Sequence, residues 1–281
     1  MNKLLLVDGS NLLFQMFFGM PARILNQDGK AIQGTLGFVG ALLKIIRMTG
    51  PTHVAVLFDG EHENERMEMD ADYKANRVDY SQVPEEETPF SQLPEVYAAL
   101  DYLGIAHGET TDCEMDDWIA GYALTCGGET EMVIASQDSD FFQLITDQVH
   151  VLRYRGDKTV ICDPAYIREN LGIEPGQYAD YKSLTGDTAD NSRGADKVGS
   201  KTAGALMNQF GSLEQLLAGV EELKKPSVRA SVAGSIDRLR VNYRMIKLKA
   251  GAKLPFLMDE MIFRDMGLTT TEVLRGIGLR R

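Results

Sequence analysis

The first 165 residues alternate between two hydrophobic rhythms. Short apolar runs, interrupted only by His150, stand at Leu4–Val7, Val54–Phe58, Met132–Ala135 and Val149–Leu152. Their length and continuity predict strands buried on both faces of a parallel sheet. Between them the spacing becomes helical. Phe38, Ala41, Leu42, Ile45 and Ile46 fall at i, i+3, i+4, i+7 and i+8, one face of a helix. Pro94–Leu103 and Met115–Leu124 are similar in kind. The alternation predicts an α/β domain with right-handed crossovers.

Residues 60–93 break this pattern, with few large aliphatics, many Glu and Asp, and prolines at 84 and 89. They read as a charged excursion from the sheet, and long insertions of this kind are usually functional or disordered. From about residue 176 the strand signal fades. Leu206–Phe210, Leu213–Leu217 and a long amphipathic run from Val228 to Lys249 predict a smaller, mostly helical unit. The expected division is therefore 1–175 and 176–281.

Composition narrows the class. With 44% hydrophobic and 25% charged residues, the chain is ordinary for a globular protein. No apolar run approaches the ~20 residues a membrane span needs, and Leu4–Val7 is too short for a secretory core. Cys113, Cys126 and Cys162 are odd in number and lack C-x-x-C spacing, which favours a reduced, cytoplasmic protein, expected to be a monomer.

Charge at first argues against nucleic acid, because 29 basic against 41 acidic residues leave −12. Its distribution reverses the argument. Residues 1–190 hold 13 basic and 32 acidic side chains (−19), whereas 191–281 hold 16 and 9 (+7). Such asymmetry suggests a division of labour.

The acidic half has a pattern. Asp8 and Asp59 each follow an apolar run directly, and Asp138 and Asp140 follow Met132–Ala135 closely. Acids at the carboxyl ends of parallel strands converge on one rim. Glu114, Asp116 and Asp117 open the next helix, and Asp187 and Asp190 sit in Gly186–Asn191. Each fragment also has a plain reading as turn former, N-cap or dipole partner. Nine carboxylates on one rim would repel one another unless cations sat among them. All-oxygen donors, with His53, His62, His107 and His150 scattered, point to Mg²⁺ or Mn²⁺ rather than zinc. Two such ions, roughly 3.5–4 Å apart, can clamp a phosphodiester.

Two basic motifs sharpen the substrate. Lys74 and Arg77, in Tyr73–Arg77, lie at i and i+3 within the acidic excursion, where both could reach one phosphate or simply face solvent. Gly194 to Ala203 resembles a P-loop but has one residue too many before Lys201, and no apolar strand precedes it. That spacing disfavours an ATP site. A glycine turn opening a helix can instead grip a nucleic-acid backbone.

Taken in order, LLLVDGSN, VLFDG, YKANR, EMDD, SQDSD, GDTADN and GxxxxGxKTA resemble the 5′-nuclease family. That family includes the N-terminal nuclease domain of bacterial DNA polymerase I, phage 5′-exonucleases and flap endonucleases. The likeness runs from about residue 3 to about 250, and the chain is similar to a stand-alone bacterial form. It implies a PIN-like α/β domain with a helical arch at about 60–93, followed by a helix–three-turn–helix DNA-binding region. It implies Asp8, Asp59, Glu114 and Asp116 mainly at a first metal site. Asp138 and Asp140 would lie at the centre, and Asp187 and Asp190 at a second site. Asp117 falls on another acidic family position. Tyr73, Lys74 and Arg77 match the base of the arch, which steers the scissile phosphate. Gly194, Lys197, Gly199, Ser200, Lys201 and Thr202 match the DNA-gripping turn, where relatives often bind K⁺. The activity implied is Mg²⁺-dependent hydrolysis at 5′ ends, flaps and RNA-primed junctions of DNA, in primer removal or repair.

Two departures stand out. Relatives usually read IPGV where this chain has Ser192–Ala195, so the loop is either loosened or given a phosphate contact by Arg193. Gln15 occupies a place where relatives commonly carry Arg. The competing readings are a non-catalytic binder of branched DNA and a PIN-like ribonuclease.

Overall fold

The computed structural model describes residues 2–20, 22–60, 80–188 and 191–280. The N-terminal run becomes β1 (Lys3–Asp8), and Asp8 ends it by capping α1 (Gly9–Gly19), its carboxylate accepting from the Asn11 amide. Next come α2 (Gln33–Thr49), stopped by Gly50 in the left-handed region, and β2 (His53–Phe58). After short 3-10 turns at Tyr80–Gln82, Glu85–Glu87 and Pro89–Gln92 follow α3 (Leu93–Leu103), β3 (Ala106–Glu109) and α4 (Met115–Cys126). Then come β4 (Glu131–Ala135), a 3-10 turn at Asp140–Leu144, β5 (Val149–Arg153) and β6 (Val160–Cys162).

Among the described residues these six strands form one sheet in the order β3-β2-β1-β4-β5-β6. It is parallel except for β6. The four strands expected from apolar runs are all present. The edge strands β3 and β6 carry no such run. Ala-His-Gly-Glu and Val-Ile-Cys are half exposed, and a strand with one free edge needs no continuous apolar sequence.

Alternation along the strands builds two cores. Leu5, Val7, Val54, Val56 and Phe58 meet Phe38, Leu42 and Ile45 of α2, with Leu100 of α3. Leu4, Leu6, Leu57, Met132 and Ile134 point to the other face, against Trp118 and Ile119 of α4. Each such buried side chain contributes roughly 1.5–3 kcal/mol relative to exposure. That second core continues into α5 (Pro164–Leu171), α6 (Tyr178–Thr185), α7 (Ser200–Phe210), α8 (Leu213–Ala218), α9 (Pro226–Ala233) and α10 (Ile236–Ile246).

Two details differ from the sequence reading. The amphipathic run Val228–Lys249 is two helices, α9 and α10, parted at Gly234–Ser235, where α9's end is capped by the Gly234 amide on Ala230 O. The region beyond 176 also contains a small antiparallel ribbon, β7 (Gly186–Asp187) with β8 (Ser192–Arg193). Residues after α10 return to the sheet: Phe263 N donates to Thr52 O at 2.9 Å. The final helix, α11 (Thr270–Gly276), places Val273 in the α2-side core.

Of the excursion expected over 60–93, residues 61–79 lie outside the described residues. Its returning leg is fixed to α1 by a triangle of edge-to-face rings. Phe14, Tyr80 and Phe90 have centroids 5.5–5.7 Å apart.

Candidate functional site

Strand order changes direction between β1 and β4, with β2 and β3 on one side and β5 on the other. In open α/β sheets ligands bind in the crevice beyond the carboxyl ends at such a switch point. Asp8 ends β1 there, Asp59 follows β2, and Asp138 and Asp140 follow β4. One serine joins two of these groups, and the second of them holds a third. Ser136 Oγ donates to Asp8 Oδ2 at 2.7 Å and accepts from the Asp138 amide at 2.9 Å. Asp138 Oδ1 in turn accepts from the Asp140 amide at 2.8 Å.

Asp8 is 4% exposed. Burial pushes its carboxyl up to about 7. Hydrogen bonds from Ser136 and the Asn11 amide oppose that rise, while the negative charges of Asp59 and Asp138 add to it. Asp59 also organises its neighbours. Its Oδ1 accepts from the Met115 amide at 3.0 Å, and its own amide donates to Ser10 Oγ at 3.0 Å. The starts of α1 and α4 are thereby drawn to one rim. Glu114 is buried at the N-cap of α4, with Asp116 half-buried in its first turn. Asp117 is buried and accepts from the Lys249 amide at 2.9 Å, tying α4 to the segment after α10.

Farther along the rim, Asp140 and Asp187 meet at a basic residue that motif reading missed. Lys182 of α6 is buried, its Nζ bonded to Asp140 Oδ1 and 2.5 Å from Asp187 Oδ2. Burial disfavours this ammonium, but Asp140, Tyr178 and Asp138 outweigh it and hold the proton above the ordinary lysine range. A lone lysine inside a helix carries no sequence signal, because only the packing of α6 brings it to the carboxylates. Tyr73, Lys74, Arg77 and Asp190 lie outside the described residues.

The donor set is all oxygen, which suits Mg²⁺ or Mn²⁺. Among the described residues no three His, Cys, Asp or Glu side chains form a ready-made cage. Mg²⁺ does not require one, since it keeps several waters and takes one or two carboxylates plus substrate oxygens. A carboxyl raised by burial, with like charges adding to the rise, is also the state that a divalent cation reverses. The residues fit an open, hydrated site.

The basic turn follows β8 and opens α7. Gly199 is the N-cap of α7, and Lys197, Gly199, Ser200 and Lys201 are exposed, with Thr202 half-buried. Gly194 instead is buried. A Cβ there would lie 2.2 Å from Leu184 O and 2.6 Å from Gly186 N, so this glycine serves close backbone approach.

The Ser192–Ala195 segment is held firmly. Asn242 Nδ2 donates to Ser183 O at 3.2 Å and Arg193 O at 3.0 Å, and Arg238 Nη2 donates to Gly194 O at 3.0 Å. Arg193 is exposed and pairs with Asp196 at 2.7 Å. A cavity of about 390 Å³ lined by Arg193, Lys197 and Arg238 opens beside it. Gln15, the other departure, donates to Tyr154 O at 2.7 Å.

Comparison with known proteins follows the same outline. Residues 3–172 match the family model of the 5′-3′ exonuclease N-terminal resolvase-like domain, and 173–268 match that of the 5′-3′ exonuclease C-terminal SAM fold. The thermostable DNA polymerase I of Thermus aquaticus is 34% identical over 258 residues, 92% of this chain and 29% of the polymerase. DNA polymerase I of Rhizobium leguminosarum is 33% identical over 269 residues, 92% of this chain and 26% of the relative. The chain therefore spans less than a third of these relatives' length.

Similar folds occur in T5 5′-exonuclease with bound zinc (TM-score 0.72, 20% identity, 87% of this chain and 89% of that one). Human GEN1 in complex with Holliday junction DNA is also similar (TM-score 0.61, 15% identity, 97% and 70%). The chain belongs to the 5′-3′ exonuclease family.

Proposed function

We propose that this protein is a divalent-metal-dependent, structure-specific 5′ nuclease that hydrolyses phosphodiester bonds at 5′ ends and flaps of DNA. The observation that carries the reading is the convergence of Asp8, Asp59 and Asp138 at the sheet's switch point, in a chain of this family. Relatives solved with divalent ions and with DNA support it.

In this reading Asp8, Asp59, Glu114 and Asp116 hold one ion. Asp138 and Asp140 stand between, and Asp187 and Asp190 complete a second position. Asp117 acts as a tether to the Lys249 backbone. Bound divalent cations, Mg²⁺ with Mn²⁺ as a substitute, supply the charge that activates water and neutralises the scissile phosphate. Ser136 holds Asp8 and the Asp138 loop in register, so that the carboxylates do not reorganise during reaction. Tyr73, Lys74 and Arg77 orient the phosphate from the excursion.

Residues 1–175, joined by Asp187 and Asp190, carry catalysis, and the rest of 176–281 carries the duplex. Lys197, Gly199, Ser200, Lys201 and Thr202 grip the DNA backbone, and K⁺ is a candidate ion at that turn. A role in primer removal or repair, as a cytoplasmic monomer, is the setting this substrate implies. Among the described residues no helix is long and apolar enough to cross a membrane.

A labelled 5′-flap oligonucleotide, incubated with and without Mg²⁺, tests the reading. Product is expected only with Mg²⁺, and Asp138→Ala is expected to abolish cleavage while leaving the flap gel shift intact. A shift without product from the unaltered protein would mean a binding protein instead. Cleavage of single-stranded RNA in preference to the flap would mean a ribonuclease.

A further inference from the structure

Asp8 and the Asp140–Asp187 pair are balanced differently. Asp8 has neutral partners, the Ser136 hydroxyl and the Asn11 amide. Asp140 and Asp187 share a cation belonging to the protein. Lys182 Nζ bonds Asp140 Oδ1 and stands 2.5 Å from Asp187 Oδ2, with the Lys182 and Asp140 side chains 8% and 13% exposed and that of Asp187 17%. The two acids arrive from distant segments. Asp140 opens the 3-10 turn after β4, and Asp187 lies in β7, one residue beyond the Gly186 cap of α6. Two carboxylates brought together out of water repel unless a cation lies between them. The ammonium, a compact charge with three donors on a flexible four-carbon stem, can satisfy both acids at once.

A divalent ion using the same oxygens meets that ammonium. It must push the ammonium aside or bind next to it against like charge. At the Asp8 end it meets no basic partner of Asp8 among the described residues. This argument rests on the reading of Asp140 and Asp187 as metal-facing.

We propose that Lys182 is a tethered cation that holds the Asp140–Asp187 pair together and competes with the divalent ion there, so that an ion at this pair binds more weakly than the two carboxylates alone would hold it. Lys182 is thus a positioning residue for the second ion. It links metal loading to substrate, because a phosphate entering the site adds the negative charge that lets both cations remain.

Mn²⁺ alone, titrated into the full chain and followed by electron paramagnetic resonance and calorimetry, tests the proposal. The unaltered protein is expected to show a tight and a weak class of Mn²⁺. Lys182→Met is expected to tighten the weak class roughly tenfold or more and leave the tight class in place. Lys182→Arg, which keeps the charge, is expected to tighten neither. In chelator, Lys182→Met is expected to melt at a lower temperature, and Mn²⁺ to restore it by more than it stabilises the unaltered protein.

Structural damage weakens metal binding, so a gain in affinity separates competition from a packing role. If the methionine variant does not fold in chelator, Mn²⁺-loaded Lys182→Gln titrated with a competing chelator gives the same comparison. Two classes in the unaltered protein with an unchanged or looser weak class in the neutral variants would overturn the proposal alone. No Mn²⁺ binding by the unaltered protein would overturn the metal reading on which it stands.

Discussion

At the scale of single residues, the rim carboxylates have structural work that does not compete with chemistry. Asp8 caps α1, Asp59 binds the first amide of α4, and Asp138 closes a turn on the Asp140 amide. The plain reading of each acid as a cap or turn former therefore holds together with its convergence on the rim. Sequence could show the acids and their order. It could not show Lys182, whose partners lie 42 residues back and five ahead. Asp8 gives a prediction with a definite sign. The folded protein holds the Asp8 proton more tightly than the unfolded chain, to about 7 against an ordinary 3.8. Its contribution to stability is present in full below the ordinary value and is lost as pH rises through about 7. Asp8→Asn keeps an acceptor for the Asn11 amide and removes the buried charge. In chelator, denaturant unfolding of this variant should show greater stability than the unaltered protein at pH 8, by at most ~4 kcal/mol, and no difference of that sign near pH 4. Saturating Mg²⁺ should narrow the gap, since the ion favours the ionised carboxylate. Parallel pH curves for the two proteins would remove burial of Asp8 as the cause.

At the scale of elements, legibility followed burial. Strands β1, β2 and β4 are covered on both faces and are written as continuous apolar runs, and β5 as a run interrupted only by His150. Edge strands β3 and β6 meet fewer neighbours and leave no such mark. The α9–α10 break hides within one amphipathic period because Gly234 is exposed and the small Ser235 takes a buried position between Val232 and Leu239. The glycine turn before α7 shows the same limit more sharply. Its motif presents Gly194 and Gly199 as equivalent, and their surroundings separate them. A Cβ at Gly194 meets backbone at 2.2 Å, whereas one at Gly199, with φ −86°, meets nothing within 4 Å. Gly199→Ala should leave the unfolding midpoint nearly unchanged. Gly194→Ala should cost at least ~2 kcal/mol, because Leu184 and Gly186 are main chain and can yield only by moving the end of α6. That end carries Asp187, so the same variant should also weaken Mn²⁺ binding. Equal midpoints for the two alanine variants would show that the turn is not packed as described.

For the whole molecule, the net charge of −12 combines two opposite surfaces. The acidic excess sits in residues 1–190, where the rim carboxylates converge, and the +7 segment carries the exposed turn of Lys197 and Lys201. A nucleic acid can be held by the second while the first requires cations to approach phosphate at all. The continuous core from β1 through α10 keeps these surfaces at a fixed relation, so that in the proposed nuclease grip on the duplex would contribute equally before and during cleavage. Uniform binding of this kind lowers KM without changing kcat. Lys197→Ala combined with Lys201→Ala should therefore raise KM for a duplex flap and leave kcat near its original value. It should also flatten the dependence of log Kd on log salt by about two, one for each lost phosphate contact. Asp138→Ala should do the reverse, losing turnover with the salt slope preserved. A double lysine variant that loses kcat at an unchanged salt slope would move those lysines from the binding surface to the reacting end of the substrate, and the division of charge along the chain would then need another cause.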